Sequence, residues 1–344
     1  MNETRKLASI QRIQSIHPIA DAERIECAIV GAWPVVVKKN EFTPGSLCVF
    51  FEIDSIIPFA PWSEFLRDKK RPDKPIVLET VRLRGQKSQG LALPISVVLP
   101  DGQYEEGLDV TDLLGIKKYE PMEDVSLSGA QRTTFPRFIE KTDSKRLQSY
   151  VRVLDEFIGK EVYVTMKCDG SSMTAFTNNG EFGICSRSFI LDETCEDNAY
   201  VRMSKTLNLR DNMLIMNSNI AIQGELCGPK INGNKMGYTN LNFFGFDVYD
   251  IDSRGYLDFK EQQEVFDYLG IKPVPLLYRG IFQWTSVQEI MNYVESLRYE
   301  NGELCEGIVV RPVMETESPS LRGDRLHFKL VSDAFLEKFS SKRN

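Results

Sequence analysis

The chain contains very little histidine and no closely spaced cysteine pair, and these two shortages restrict its chemistry. His17 and His327 are the only histidines among 344 residues, which argues against histidine triads and histidine-rich zinc sites. The seven cysteines are odd in number and form no CxxC motif, which predicts reduced thiols and a cytoplasmic protein. Catalysis must therefore rest on lysine, arginine and carboxylates, and any metal should be a hard cation held by oxygen.

Long apolar segments are also missing. No stretch approaches the ~18 apolar residues that a membrane-spanning helix needs, and residues 1–6 lack the apolar core of a signal peptide. Hydrophobic residues make up 42% and charged residues 26%, which is typical of globular proteins, and 344 residues predict two domains. The net charge of −7 argues against general affinity for polyanions but allows a local basic groove.

Short β runs separated by turn residues dominate the N-terminal third. Runs at 7–13, 33–37 and 47–53 predict a small barrel. In the segment 81–91, basic and apolar residues alternate, which would place Arg82 and Arg84 on one face with Lys87 just beyond. A barrel with such a basic edge suits a nucleic-acid backbone, so these three cations are candidate nucleic-acid contacts, and a solvated strand face is the alternative.

The C-terminal two thirds combine strands with a few helices. Apolar residues at helical spacing predict helices at 260–269 and 286–297, and β runs occur at 162–166, 182–188, 220–226, 243–248, 307–311 and 325–330. This predicts an α+β fold in which helices flank antiparallel sheets. A Ser/Gly-rich connector at 126–130 predicts a domain boundary, giving domains at 1–120 and 121–344.

Six polar patches fall in a fixed order at the ends of these predicted strands. They are Lys167-Cys168-Asp169-Gly170, Ser186-Arg187-Ser188, Gly224-Glu225-Leu226-Cys227-Gly228, Phe244-Gly245-Phe246-Asp247-Val248, Glu306-Gly307-Ile308-Val309-Val310-Arg311 and Phe328-Lys329-Leu330. Each patch alone is a weak signal, but six in this order resemble motifs I, Ia, IIIa, III, IV and V of the covalent nucleotidyltransferase superfamily. That superfamily includes ATP-dependent ligases and mRNA capping enzymes.

The N-terminal third extends this resemblance. The runs at 50–55, 83–85, 88–90 and 135–139 are similar to RNA ligases whose OB module precedes the catalytic domain. The resemblance implies an N-terminal OB-like β-barrel followed by a nucleotidyltransferase domain. It further implies a monomeric, ATP-dependent RNA ligase that joins 3′-hydroxyl and 5′-phosphate ends through lysyl-AMP and RNA-adenylate, in nick-sealing RNA repair.

The same resemblance assigns roles to individual residues. Lys167 is the implied nucleophile, and Lys329 and Arg187 are its catalytic partners. The resemblance implies nucleotide contacts from Arg146, Arg187, Glu225, Phe246, Asp247 and Lys329, with Phe246 stacking on adenine and Arg146 near the leaving pyrophosphate. It implies Mg²⁺ or Mn²⁺ at Asp169, Glu225 and Glu306, and leaves open which glutamate binds metal and which binds ribose.

Two features of these assignments concern protonation and charge. A free lysine has a pKa of ~10.4, so we expect Lys329, Arg187 and a metal to lower the pKa of Lys167. Many relatives carry two lysines in motif V where this chain has His327 and Lys329. Either the second phosphate contact is missing here or His327 supplies part of it.

Two alternatives remain at this point. A GTP-dependent capping-type guanylyltransferase is disfavoured because only 15 residues follow Lys329, which leaves no room for a C-terminal OB domain. A non-catalytic nucleic-acid-binding protein on the same scaffold is disfavoured because all the charged motif residues are retained together.

Overall fold

A computed structural model describes residues 5–119 and 131–340 of the chain. The domain boundary predicted near residue 120 lies outside these ranges. None of the helices within them is both long and apolar enough to cross a membrane.

Short strands build the N-terminal part, as its turn-punctuated β runs predict. They are β1 (Ala8–Pro18), β2 (Ile25–Val30), β3 (Trp33–Lys38), β4 (Leu47–Phe51), β5 (Ser55–Ile57), β6 (Ile76–Val77), β7 (Thr80–Leu83), β8 (Gln86–Gln89), β9 (Leu91–Pro94) and β10 (Lys117–Lys118), with a short helix α1 (Ile95–Val98) and a 3₁₀ turn at Pro61–Leu66. One sheet has the order β3-β2-β1-β4-β9 and another the order β10-β5-β6.

The long strand β1 joins the two halves of this β structure. Its first half pairs with β4 and its second half with β2, and the register shifts between Ile13 and Ser15. Such an irregularity bends a strand, so β1 can turn from one half to the other. Buried side chains fill both halves, with Ile10 and Phe51 in one apolar cluster and Trp33 in the other. The predicted OB-like barrel is confirmed.

The β7–β8 hairpin differs from the sequence-based expectation. Arg84 and Gly85 form its two-residue turn with φ values of 51° and 78°. Positive φ at both central residues is the signature of the type I′ turn that suits a twisted hairpin. Because Arg84 lies in the turn, it does not share a strand face with Arg82, and that part of the prediction is wrong.

The C-terminal part contains longer strands and most of the helices. The strands are β11 (Gln131–Thr134), β12 (Lys145–Arg146), β13 (Glu161–Lys167), β14 (Ser171–Asn178), β15 (Glu181–Cys185), β16 (Phe189–Leu191), β17 (Ile220–Cys227), β18 (Asn242–Asp250), β19 (Gly255–Tyr256), β20 (Lys272–Pro273), β21 (Leu276–Ile281), β22 (Gly307–Pro312), β23 (Glu317–Ser318), β24 (Asp324–Arg325) and β25 (Phe328–Val331). The helices are α2 (Val153–Phe157), α3 (Ala199–Thr206), α4 (Leu209–Met216), α5 (Phe259–Leu269), α6 (Val287–Ser296) and α7 (Asp333–Ser340), with 3₁₀ turns at Leu147–Ser149 and Pro319–Leu321.

Two sheets organise this part. The larger follows β11-β16-β15-β14-β17-β18-β19, with β20 beside β18, and the smaller follows β12-β25-β22-β13-β21. Most pairs are antiparallel, while β12–β25 and β18–β20 are parallel. Helices α3, α4 and α5 cover the larger sheet, and α2 and α6 cover the smaller one, each over its own apolar core. The predicted α+β fold is confirmed.

The two parts of the chain share an extensive interface. The Trp33 indole donates a hydrogen bond to the Ser149 hydroxyl at 3.0 Å, and Val331 and Leu336 extend the apolar cluster around Trp33. On the other side, Asp333 of α7 accepts hydrogen bonds from Lys87 and Gln89 of β8. The barrel is therefore fixed to the C-terminal part by apolar packing and by hydrogen bonds and an ion pair at the start of α7.

We predict that Asp333→Ala lowers the free energy of unfolding by about 1–3 kcal/mol, because it removes the carboxylate that accepts from the partly buried Lys87 and the buried Gln89. Urea unfolding followed by tryptophan fluorescence measures this change. Lys338→Ala is the matched control on the same helix, since it removes an ion pair with Glu303 that is largely exposed; its effect should stay below about 1 kcal/mol. Equal effects of the two variants would contradict the prediction.

Candidate active site

A cavity of about 990 Å³ opens between the two sheets of the C-terminal part. Strand ends meet there, as the motif spacing predicts. Among the predicted site residues, Lys167, Arg187, Glu225, Phe246 and Lys329 line this cavity. A second, adjoining cavity of about 400 Å³ shares Arg187 and Lys329 with the first and adds Arg146 and His327.

Lys167 ends β13, the strand that lies between β22 and β21. The tight turn that follows it requires Gly170, since a Cβ there would meet the Leu226 carbonyl oxygen at 2.3 Å. The Lys167 Nζ atom lies 2.7 Å from Glu306 Oε2 at the start of β22. A central strand thus delivers the amine to the cavity, and the neighbouring strand supplies its counterion.

The protonation of Lys167 differs from the expectation. Burial alone would lower the pKa of its ammonium, but the nearby carboxylates of Glu306, Glu225 and Asp169 outweigh burial and raise that pKa. Lys329 and Arg187, the cations expected to lower this pKa, contact Asp143 instead. Among the chain's own groups, the carboxylates therefore outweigh burial and the cations at Lys167 and favour its ammonium form, and the prediction that Lys329 and Arg187 lower this pKa is wrong.

The carboxylates around Lys167 are themselves held by nitrogen donors. Asp169 accepts hydrogen bonds from Asn232 Nδ2 at 2.7 Å and Lys235 Nζ at 2.5 Å, and Glu225 Oε1 accepts one from the Gly170 amide at 3.1 Å. Burial raises the pKa of Glu225 to about 7 and that of Asp169 to about 6. These groups are thus poised to exchange protons or cations near neutral pH.

This donor set fits a hydrated divalent cation better than a bare one. No cluster of three or more metal-ligating side chains exists within residues 5–119 and 131–340. Carboxylate oxygens are nevertheless the donors that Mg²⁺ and Mn²⁺ prefer, and Mg²⁺ commonly keeps several waters while using one or two carboxylates together with substrate phosphates. Asp169, Glu225 and Glu306 therefore fit an ion held largely through water.

A second charged cluster lies on the opposite side of the cavity. Asp143 accepts a hydrogen bond from Lys329 Nζ at 2.8 Å and another from Arg187 Nη2 at 3.3 Å, and Lys118 Nζ lies 3.7 Å away. Burial would raise the pKa of Asp143, but the three cations hold it well below its usual range. Burial lowers the pKa of Lys329 to about 8, although Asp143 opposes the shift. Three cations thus converge on one carboxylate, as they would on a phosphate.

Arg146 lies in the adjoining cavity at the interface with the barrel. Its Nη2 donates to Asp54 Oδ2 at 2.7 Å, while its buried Nε and Nη1 atoms have no partner in the part of the chain that the structure describes. His327 is similar, because its buried Nδ1 atom also lacks a partner there. Burial and the surrounding cations lower the pKa of His327 well below its usual range, so its imidazole is neutral. Arg146 and His327 both line the adjoining cavity, where the Arg146 guanidinium favours an anion.

A β-bulge decides which aromatic residue of motif III faces the cavity. Gln223 pairs with Asp247 and Gly224 with Gly245, so Phe246 is the extra residue on β18. A bulge re-aims its side chain, and Phe246 accordingly lines the cavity while Phe244 is buried in the core. Phe246 is thus available to stack on a nucleobase.

Asp247 differs from the expectation that it lines the pocket. It is fully buried and accepts hydrogen bonds from Arg311 at 3.2 Å and from Arg325 at 3.0 Å, and it is not among the described residues that line either cavity. A buried carboxylate needs such compensation. Asp247 therefore connects β18 to β22 and β24 through its ion pairs with Arg311 and Arg325.

The three predicted nucleic-acid contacts on the barrel differ in their surroundings, since two of them form ion pairs with α7 and the third is exposed. Arg82 pairs with Glu337 at 2.8 Å, and Lys87 pairs with Asp333, so both cations hold the barrel against α7. Arg84 is exposed at the tip of the hairpin. The structure brings none of the three into the two cavities formed by the described residues.

Several residues of the site carry no sequence signal of their own. Asp143, Lys118, Lys235 and Asn232 reach the cavity from loops or short strands far from the six motifs. For Asp143, the nearest sequence signal is the run 135–139, which resembles RNA ligases and ends four residues before it. Their roles follow from spatial proximity, which a single sequence does not record.

Comparisons with known proteins agree with this geometry. An RNA ligase family model matches residues 160–331, half of the chain, and an OB-fold domain model matches residues 7–95. A search of curated protein sequences finds no match.

Solved structures of a Naegleria gruberi RNA ligase are similar over the full length. A lysine-to-methionine mutant with AMP and Mn is 35% identical and superposes with a TM-score of 0.89, covering 98% of this chain and 99% of that one. The ligase with PPi has the same identity and TM-score, with 98% and 100% coverage. A glutamate-to-alanine mutant with ATP and Mn is also 35% identical, with a TM-score of 0.88 and 98% and 100% coverage. The chain therefore belongs to the RNA ligase family.

Proposed function

We propose that this RNA ligase uses ATP to adenylylate its own Lys167 and then joins a 3′-hydroxyl to a 5′-phosphate end. The observation that carries the proposal is the arrangement around Lys167, with carboxylates on one side and the cations Lys329 and Arg187 on the other. A nucleophilic amine, donors for a hydrated cation and a phosphate-binding cluster thus share one cavity.

The first step forms a covalent enzyme–AMP bond. The Lys167 ammonium gives one proton to solvent, and its neutral amine attacks the α-phosphorus of ATP. A P–N bond forms, the P–O bond to pyrophosphate breaks, and pyrophosphate leaves with the bonding electrons; the nitrogen then loses a second proton. Lys329 and Arg187 neutralise charge on the α-phosphate during this step.

The next two steps move the adenylyl group and seal the break. A 5′-phosphate oxygen of RNA attacks the phosphorus of lysyl-AMP and forms RNA-adenylate. The P–N bond breaks, and the Lys167 nitrogen takes up a proton from solvent and leaves as the amine. The 3′-hydroxyl of the other end then attacks the RNA 5′-phosphate, and AMP leaves. Arg187, shared by both cavities, is placed to contact the phosphate that is sealed.

We assign the divalent cation to Asp169, Glu225 and Glu306. Bound Mg²⁺ or Mn²⁺ would neutralise phosphate charge and lower the barrier to attack. These carboxylates raise the pKa of the Lys167 ammonium, and any positive charge that they accept weakens this effect. The Naegleria gruberi structures with Mn and ATP or AMP support this assignment.

We place the rest of the nucleotide by the shape of the two cavities. Adenine stacks on Phe246, a contact worth roughly 1–3 kcal/mol. The leaving pyrophosphate lies toward Arg146, which lines the adjoining cavity and whose buried Nε and Nη1 atoms have no partner among the described residues. A Naegleria gruberi ligase of the same fold has been solved with PPi, which supports a pyrophosphate-binding site in this protein.

We also propose the finer features of the protein. Residues 1–120 form the OB module and 121–344 the catalytic domain, and the hairpin-tip Arg84 contacts the RNA backbone. Arg82 and Lys87 contribute to that surface while they are paired with α7. We further propose that the protein is a monomer. All seven cysteines are free thiols, which supports a reducing cytoplasm.

We predict that Lys167→Met abolishes covalent labelling by [α-³²P]ATP, because no other amine replaces the nucleophile. The same variant should still seal pre-adenylylated RNA, since that step does not use the Lys167 amine. Lys260→Met, on an exposed face of α5, is the matched control and should label normally. Labelling of the Lys167 variant, or labelling of the wild type by GTP alone, would contradict the proposal.

We predict that nucleotide binding weakens above pH ~8, because Lys329 loses its charge there. Binding weakens as the pH rises because the pKa of Lys329 is lowered to about 8. Its cationic form, which binds phosphate, exists below about pH 8 and is lost above it. In the Lys167→Met background, the Kd for α,β-methylene ATP should rise about three- to tenfold between about pH 7 and about pH 9.5. Lys329→Arg keeps its charge and should remove this pH dependence; an equally steep rise in that variant would refute the assignment.

We predict that the enzyme seals nicked duplexes most efficiently when the strand ending in the 3′-hydroxyl is RNA. Exchanging RNA for DNA on each side of the nick, while scoring adenylylated intermediate and sealed product, tests this preference. Equal sealing of all four duplexes would contradict it.

Arg84→Ala should raise the KM for the nicked duplex and reduce the salt dependence of binding by about one phosphate contact. Labelling of this variant by ATP should stay unchanged.

A further inference from the structure

Tyr299 links the nucleophile to its carboxylate partner through the protein backbone. Its hydroxyl donates a hydrogen bond to the Lys167 carbonyl oxygen at 3.0 Å and accepts one from the Glu306 amide at 3.0 Å. The side chain is only 3% exposed. One buried hydroxyl therefore satisfies a backbone group of each of the two residues whose side chains form the central ion pair.

This link begins where the sheet ends. Strands β13 and β22 pair from Val162–Pro312 to Lys167–Gly307, which is the last pair of the ladder. Lys167 is thus the last paired residue of β13, and Glu306 lies one residue before β22. The Tyr299 hydroxyl contacts the backbone of both residues at this end of the ladder, which ties their positions together.

Tyr299 is itself firmly placed. Its amide donates to the Glu303 carbonyl at 2.9 Å, its carbonyl accepts from the Gly302 amide at 2.9 Å, and its ring packs in an apolar cluster with Cys168 and Cys305. Burial and the neighbouring Glu306 raise the pKa of its phenol, so the hydroxyl stays neutral. With both its hydrogen-bonding roles used on backbone, Tyr299 is not available as an acid or base.

We propose that Tyr299 is a positioning residue for adenylylation of Lys167, and this inference rests on the proposed role of Lys167 as the nucleophile. In-line attack requires the amine to lie within a narrow range of distance and angle from the α-phosphorus. Tyr299 sets the backbone from which the Lys167 side chain extends, and it fixes that backbone against Glu306. Its effect is therefore largest on the step in which the Lys167 amine forms a bond.

The test is Tyr299→Phe, which removes one oxygen atom and keeps the ring. In single-turnover labelling with [α-³²P]ATP at saturating ATP, the rate should fall about 10- to 100-fold. The ATP concentration for half-maximal rate should change by less than about threefold, because Tyr299 is not among the described residues that line either cavity. Sealing of pre-adenylylated RNA should stay within about threefold of the wild type, since the Lys167 amine forms no bond in that step.

Tyr278→Phe is the matched control. Its hydroxyl donates to the Ile281 carbonyl at 2.7 Å on β21, the strand on the other side of β13, so it removes a tyrosine–backbone hydrogen bond from the same sheet without touching Lys167. We expect both steps to run at the wild-type rate in this variant.

Three outcomes would overturn the inference. The first is a wild-type labelling rate in Tyr299→Phe, and the second is an equal fall in the rates of labelling and of sealing pre-adenylylated RNA. The third is a higher ATP concentration for half-maximal rate with no fall in the labelling rate at saturating ATP. A Tyr299→Phe protein that fails to fold would lose both steps equally and so also counts against it. Failure of the nucleophile assignment is recognised separately, because Lys167→Met would then still be labelled.

Discussion

The structure depends on one compensated charge, the ammonium of Lys167 among carboxylates at the ends of buried strands. A buried cation is expensive unless it is paired and hydrogen-bonded. Glu306 meets it directly at 2.7 Å, and Asp169 and Glu225 lie near enough to raise its pKa. Each of these carboxylates needs its own donor, which explains why Lys235, Asn232 and the Gly170 amide surround the pair.

The same constraint separates the site into two electrostatic halves. Around Lys167, the negative charge of the carboxylates outweighs the positive charge of the neighbouring cations. On the phosphate side, Lys329, Arg187 and Lys118 converge on Asp143. A nucleotide triphosphate with its metal is complementary to both halves at once, since the metal matches the carboxylates and the phosphates match the cations.

The sequence was sufficient for the fold class and for the positions of the six motifs, because these are local patterns on strands. It was less informative where a side chain's direction depends on tertiary contacts. The bulge that turns Phe246 toward the cavity and buries Asp247 arises from pairing with β17, and the hairpin turn at Arg84 interrupts an alternation that looked continuous.

Protonation and long-range partners were the hardest to predict. The pKa of Lys167 is raised by carboxylates up to 139 positions away, so the expectation based on its cationic neighbours had the wrong sign. Helices α3 and α4 were also missed; only their packing on the larger sheet reveals them as part of its core.

Helix α7 contacts both the barrel and Lys235, a residue of the cavity around Lys167. On one side its Asp333 and Glu337 hold the β7–β8 hairpin. On another, its Phe335 and Phe339 rings lie 5.7 Å and 5.3 Å from the Lys235 ammonium that pairs with Asp169. One short helix thus touches both the hairpin that we propose to contact RNA and the lysine that pairs with the motif I carboxylate, so a change in how the hairpin is held would also alter the packing around that ion pair.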